Sequence, residues 1–297
     1  MVLSGVIPPI ITPFEDGEPA LDHLSENIRK WNRTQLSGYL VLGSNGEAVY
    51  LDEQEKLAVV RKARETIPAS KCLMVGTGSE STRHTIRLTN LMADCGADFG
   101  LVSPPFYFKG GMREDILADH FTAVAEASRI PILLYNVPQF TGINLEPALC
   151  IRLSEHPNIV GMKDSLGNVG QLQEVLAARH PDFRVFVGSA PVFFPSLCIG
   201  VHGGILAVAN VIPEICIRIF DSFHQGRYEE ARELQARMTP LAKAVTVKYG
   251  IGGLKSAMDS AGYFGGEPRL PLKSPGPEVK NELQALLLAL DDPELRT

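Results

Sequence analysis

Short apolar runs alternate with longer amphipathic segments from near the start of the chain to about residue 225. The runs are GVIPPIITP (5–13), GYLVLGS (38–44), KCLMVGTG (71–78), ADFGLVSP (97–104), IPILLYNVP (130–138), NIVGMKDS (158–165), FRVFVGSA (183–190) and GGILAVAN (203–210). Each is rich in Val, Ile and Leu and closes on Gly, Pro, Ser or Asn. That is the pattern of strands buried on both faces in a parallel sheet. Helical stretches lie between them. In LDEQEKLAVVRKARETI (51–67), Asp52 can cap the start with Glu55 three residues on, and Leu57, Val60 and Ala63/Arg64 fall at turn spacing. LDHLSENIRKWNR, STRHTIRLTNLMADCG, EDILADHFTAVAEAS, NVGQLQEVLAARH and PEICIRIFDSFHQG have the same character. Eight strand–helix units in succession predict a (β/α)8 TIM barrel. A doubly wound open sheet is the alternative, because strand order is not written in a sequence. After about residue 226 the strand-like runs stop, and GRYEEARELQARM, GIGGLKSAMDSAG and EVKNELQALLLAL predict a C-terminal helical extension. The expected organisation is a barrel over residues 1–225 and a helical segment over 226–297 packed on it.

In such a barrel, chemistry collects at the C-terminal ends of the strands. Unusual polar groups gather there: Ser44 and Asn45 in GSNGE, Tyr135 and Asn136, Lys163 to Ser165, Gly188 and Ser189, and Asn210. Lys163 is the sharpest. Period-two alternation in IVGMKDS puts Gly161, Lys163 and Ser165 on one face, with Val160, Met162 and Asp164 on the other. Burial penalises an ammonium ion, and a free amine attacks a ketone or aldehyde to form an imine. A structural lysine paired with a rim carboxylate is the competing account. Tyr135 ends the preceding strand at the equivalent level, where its phenol can shuttle protons during imine formation. A packed tyrosine bonded to the backbone is the plainer alternative. Backbone N–H groups of the GSNGE turn can cradle a carboxylate or phosphate, although many turns look alike. Phe106, Tyr107 and Phe108 lie in the loop VSPPFYFKGG, where exposed aromatics point to packing or a subunit contact before catalysis.

Composition narrows the field by exclusion. The formal net charge is -6 and no long basic run occurs, which argues against nucleic acid or an anionic membrane as partner. No apolar stretch approaches the ~20 residues of a membrane span, and the opening MVLSGVIPPIITPF lacks a signal peptide's basic and apolar regions. Five scattered cysteines with no CxxC pair suggest reduced core thiols and a cytoplasmic location. Seven scattered histidines form no HxxxH or HExxH pattern, so a metal-dependent aldolase is not expected. GxGxxG and GxxxxGK[ST] are also missing, so dinucleotide and P-loop readings fail.

GSNGE (43–47), YNVPQFTG (135–142) and IVGMKDS (159–165) together resemble the dihydrodipicolinate synthase/N-acetylneuraminate lyase family. The resemblance runs from IPPIITPF to YGIGGLKSAMDSAGYFGGEPRLPL (249–272). It implies a (β/α)8 barrel with C-terminal helices, a homotetramer built as a dimer of dimers, and class I aldolase chemistry on pyruvate or related 2-oxo acids without metal or organic cofactor. By motif position it makes Lys163 the Schiff-base lysine and Tyr135 the proton-relaying acid/base. Ser44 becomes the hydroxyl that links Tyr135 to a second tyrosine, Tyr107, which reaches in from a neighbouring subunit. The backbone amides of Ser44 and Asn45 would hold the 2-oxo acid carboxylate. Dihydrodipicolinate synthases commonly have Thr-Thr where this chain has Ser44-Asn45. They also carry an arginine for the aldehyde partner's carboxylate where this chain has Phe140. A phenyl ring cannot replace that bidentate cation. GSNGE, HPNIVGMKDS and the GIxGLKxxMDxxGYxGG tail look more similar to 4-hydroxy-2-oxoglutarate aldolases, which would add Ser165 and Gly188 to the substrate pocket. Phe140 leaves the second carboxylate open, and with it dihydrodipicolinate synthase and 2-oxo-3-deoxy sugar-acid aldolase or dehydratase activities.

Overall fold

A computed structural model describes residues 3–290 of the chain. Eight parallel strands form one sheet: β1 (Gly5–Ile7), β2 (Gly38–Val41), β3 (Cys72–Gly76), β4 (Phe99–Val102), β5 (Ile132–Asn136), β6 (Ile159–Asp164), β7 (Arg184–Val187) and β8 (Gly203–Ile205). Neighbours in sequence are neighbours in the sheet, and β1 pairs with β8. The ring closes between β1 and β2 through a single bridge, Pro9 to Leu40. Pro8 and Pro9 have no N–H to give a full ladder. Closure therefore uses their neighbours: Ser37 N–H donates to Val6 O, Leu40 N–H to Pro8 O, and Ile10 N–H to Leu40 O. The barrel, and not the open sheet, is the architecture.

Every strand-like run of the sequence contains one of these strands. The interior is filled by Ile7, Leu40, Met74, Leu101, Leu133, Phe186 and Ile205, which form one buried cluster. Their alternate neighbours, among them Val6, Val41, Val75, Leu134 and Val185, join a second cluster under the helices. Two-sided burial explains why these strands read as continuous apolar runs. Alternation fails once. A register shift between β5 and β6 sets Ile132 against Ile159 but Leu133 against Gly161, so Val160 is an extra residue and packs on the interior cluster. Strict period two had put Val160 with Met162; the bulge overrides it.

Besides a four-residue helix, Pro138–Thr141, the helices around the barrel are α1 (Leu21–Trp31), α2 (Glu53–Thr66), α3 (Thr82–Asp94), α4 (Glu114–Ala127), α5 (Pro147–Ser154), α6 (Val169–Ala178), α7 (Phe193–Cys198) and α8 (Pro213–His224). At α2 the Asp52 side chain accepts from Glu55 N–H while Glu55 accepts from Asp52 N–H, the reciprocal cap expected there. Helices α5 and α7 were not legible as periodic segments, being two turns or fewer. Beyond them come α9 (Tyr228–Lys243), α10 (Gly250–Ser260) and α11 (Pro277–Leu288). Met238, Leu241, Leu254, Met258 and Leu283 of these helices join the same apolar cluster as the barrel's outer face. The last seven residues of the segment expected over 226–297 lie outside the described residues, as do residues 1 and 2. All five cysteines are free; four are buried, but Cys198 is exposed and is not a core thiol.

His120 on α4 is 5 % exposed, its Nδ1 shares a hydrogen bond with Thr82 Oγ1 at 2.8 Å, and its Nε2 has no partner among the described residues. Burial pushes its imidazole down to about 4. The unfolded chain therefore takes up this proton first. Stability contributed by neutral His120 is present above pH ~6.5 and lost as pH falls toward the folded value, about 2 kcal/mol between pH 7.5 and pH 5. Urea unfolding at those two pH values should show this loss, and His120→Asn should make the difference smaller by about that amount.

Candidate active site

Strands β5, β6 and β7 carry the centre of the site. Tyr135, Lys163 and Phe186 are paired across them in register, near the strands' C-terminal ends. Lys163 is 4 % exposed, and its Nζ lies 4.4 Å from the centroid of the Tyr135 ring. Among the described residues no carboxylate lies within ion-pair distance of it. Asp164, next in sequence, faces outward: its Oδ2 accepts from Asn136 Nδ2 at 2.7 Å and its Oδ1 from Gly167 N–H at 2.9 Å. Burial pushes the Asp164 carboxyl up, against the pull of those donors. Asn136 also accepts from Leu145 N–H, so it braces the barrel wall and does not line the site. Asn210 is a second correction. Strand β8 ends at Ile205, and Asn210 belongs to the following turn, donating to Pro9 O and Ala207 O.

Ser44 Oγ stands 3.4 Å from Tyr135 Oη, which brings the GSNGE turn to the phenol. That turn is a one-turn 3-10 segment, Ser44–Gly46, with Glu47 N–H donating to Ser44 O. Thr12 Oγ1 donates to Gly46 O at 2.7 Å, and Asn45 Nδ2 donates to Pro9 O at 3.4 Å. Asn45 is thus held by its side chain. Gly188 makes room. A β-carbon there would stand 2.2 Å from Ser165 Oγ and 2.9 Å from Lys163 Cε. A side chain at 188 would therefore have to displace Ser165 and crowd the lysine.

Tyr107 and Phe140 stand at the surface of the single chain. Tyr107 is 76 % exposed and Phe140 62 %, and they share an open groove of about 430 Å³ with Phe106, Lys109 and Gly142. Phe106 and Tyr107 N–H groups both donate to Glu80 Oε2, at 2.8 and 2.7 Å, which fixes this aromatic loop. Glu80, Thr12 and Lys109 were missed from sequence, since nothing in their local pattern marks them. Among the described residues no helix is long and apolar enough to cross a membrane.

A closed (β/α)8 barrel with a buried amine, a phenol and a hydroxyl at its C-terminal mouth defines a barrel enzyme. The chain belongs to the dihydrodipicolinate synthetase family, whose profile matches residues 2–290. It is 37% identical to the "Probable 4-hydroxy-2-oxoglutarate aldolase, mitochondrial" of Emericella nidulans, over 93% of this chain and 91% of that one. It is 38% identical to the L-threo-3-deoxy-hexylosonate aldolase of Hypocrea jecorina, over 91% and 90% respectively. A solved structure of a prophage protein of the dihydrodipicolinic acid synthase family from E. coli K12, in complex with pyruvate, superposes with a TM-score of 0.91 at 27% identity, covering 98% of this chain and 99% of that one. The protein is accordingly a carbon–carbon lyase of the aldolase type.

Proposed function

We propose that the enzyme is a class I, metal-independent aldolase that cleaves or forms a C–C bond between pyruvate and an aldehyde, with 4-hydroxy-2-oxoglutarate as the leading substrate type. The observation that carries this is Lys163, buried with no carboxylate partner among the described residues and packed over the Tyr135 ring. A lysine kept for structure would be paired with a counter-ion; this one is left available to a carbonyl carbon.

Lys163 Nζ attacks C2 of the 2-oxo acid, giving a carbinolamine. Tyr135 moves protons until water leaves and the iminium forms. Tyr135, as phenolate, then takes the proton of the C4 hydroxyl; the C3–C4 pair of electrons flows into the iminium, and the aldehyde departs. The resulting enamine is protonated at C3, and hydrolysis releases pyruvate and the free lysine. In this scheme Ser44 links Tyr135 to Tyr107 of a neighbouring subunit, and the Ser44 and Asn45 amides hold the carboxylate. Ser165 and Gly188 line the pocket, and Phe140 faces the aldehyde end. The exposed Phe106, Tyr107 and Phe108 support assembly as a homotetramer, a dimer of dimers that brings Tyr107 in. We also propose a catalytic unit over 1–225 held by a helical segment over 226–297, in the cytoplasm, where free thiols stay reduced.

Borohydride reduction in the presence of pyruvate tests the central step. The expected product is a single mass increase on Lys163, and no adduct would refute the imine. A panel of 2-oxo acids, with and without aspartate semialdehyde, then ranks the substrates. Condensation of pyruvate with the semialdehyde as the fastest reaction would replace this assignment by a synthase one.

A further inference from the structure

Helix α10 lies outside the ring of strands, yet one of its side chains reaches the GSNGE turn. Lys255 Nζ meets Glu47 Oε1 at 2.7 Å, and both side chains are 0% exposed. Nζ also donates to Glu267 O at 2.9 Å and lies 4.5 Å from the centroid of the Phe14 ring. Among the described residues Oε1 has no hydrogen-bond donor besides this ion-pair contact. The other oxygen, Oε2, accepts from Arg269 N–H at 2.8 Å. Each oxygen of one carboxylate is thus tied to a different part of the C-terminal segment. Arg269 continues the fastening, donating to Tyr50 O and pairing with Glu55 at the start of α2.

Glu47 itself has a left-handed backbone, φ 53°, unusual for a side chain of this size. It closes the turn that presents the Ser44 and Asn45 amides. Stability alone does not call for an ion pair here, because apolar residues in place of a buried pair are commonly neutral or stabilising. What apolar packing does not supply is direction. Two aimed donors set the rotamer of Glu47, and with it the backbone that leads back to Ser44.

We propose that Glu47 and Lys255 are positioning residues, whose buried pair orients the Ser44 and Asn45 amides toward the carboxylate of the 2-oxo acid. The inference rests on the imine-forming site proposed above. It makes the helical extension a working part of substrate binding, not only a cover for the barrel.

The test uses the full-length wild type, Glu47→Gln, and the double variant Glu47→Met with Lys255→Met. A carboxamide has one acceptor oxygen where the carboxylate has two, so Glu47→Gln loses one tie whichever way the amide turns. Each protein is trapped with borohydride and either pyruvate or acetone, which has the ketone but no carboxylate, and the Lys163 adduct is read by mass. Half-saturating pyruvate should rise by about tenfold or more in both variants, while half-saturating acetone stays within about twofold. Pyruvate half-saturation within about twofold of wild type in a folded variant overturns the proposal. An equal rise for both ketones also overturns it, as general distortion, and so does failure of both variants to fold, which would make the pair structural. If the wild type itself forms no adduct, the imine assignment fails instead. The variants are then read by aldol cleavage, where KM should rise about tenfold with kcat little changed, and an unchanged KM overturns the proposal.

Discussion

Replacing Lys163 by alanine is expected to lower aldol cleavage by at least about 10⁴-fold and to abolish the pyruvate–borohydride adduct. The size of the effect follows from what else the site contains. Imine formation needs a free amine within reach of C2, and the other lysines are placed elsewhere. Lys255 is sealed against Glu47, and Lys109 lies in the outer groove with Phe140. The remaining groups, Tyr135, Ser44 and the turn amides, can bind the 2-oxo acid but provide no electron sink for C3–C4 cleavage. Lys163→Met is the companion variant, since it keeps the packing against Tyr135 and removes only the amine. Both should bind pyruvate and turn nothing over. Retained aldolase activity in Lys163→Ala would sink the assignment.

Tyr135→Phe should cost about 10²–10⁴-fold in kcat, the usual range for losing a positioned acid/base. The ring that lies beneath Lys163 Nζ is preserved, so the environment of the amine changes little. What is lost is the hydroxyl, and with it the link to Ser44 Oγ at 3.4 Å. That contact is long for a hydrogen bond between hydroxyls, as is common before substrate draws such groups together. The expected pattern is therefore uneven: slow adduct formation at Lys163 that still goes to completion, with cleavage falling much further. Rapid-quench measurement of both steps in one preparation separates them. Equal turnover by Tyr135→Phe and wild type would assign the proton transfers to another group.

Phe140 is the contact proposed above for the aldehyde partner. It lines the open groove with Tyr107 and Lys109. Lys109 comes close enough to Gly142 that a β-carbon there would touch its Nζ at 3.5 Å. The groove consequently offers an aromatic surface and one ammonium in place of a guanidinium fork. Under the proposed aldolase reaction, this surface would favour an aldehyde partner that makes less demand for bidentate carboxylate recognition.

Much of this protein was written locally. All eight strands were legible because burial on both faces leaves an unbroken apolar run, a property of each segment alone. Asp52 and Glu55 announced α2 for the same reason, since a cap is completed within four residues. Lys163 stood out because a charged side chain interrupts such a run, and the level of Tyr135 could be inferred from its place at the end of the preceding run. Tertiary structure decided which groups meet. It closed the ring between β1 and β2 despite two prolines, inserted Val160 as a bulge, and tied Asn136 to Asp164 and Leu145 in the barrel wall. It also joined Glu47 to Lys255 and to Arg269, a contact spanning 222 residues of chain in the second case. Periodicities of two and 3.6 residues determine which way a side chain points from its own element. Only packing of the elements determines what stands opposite.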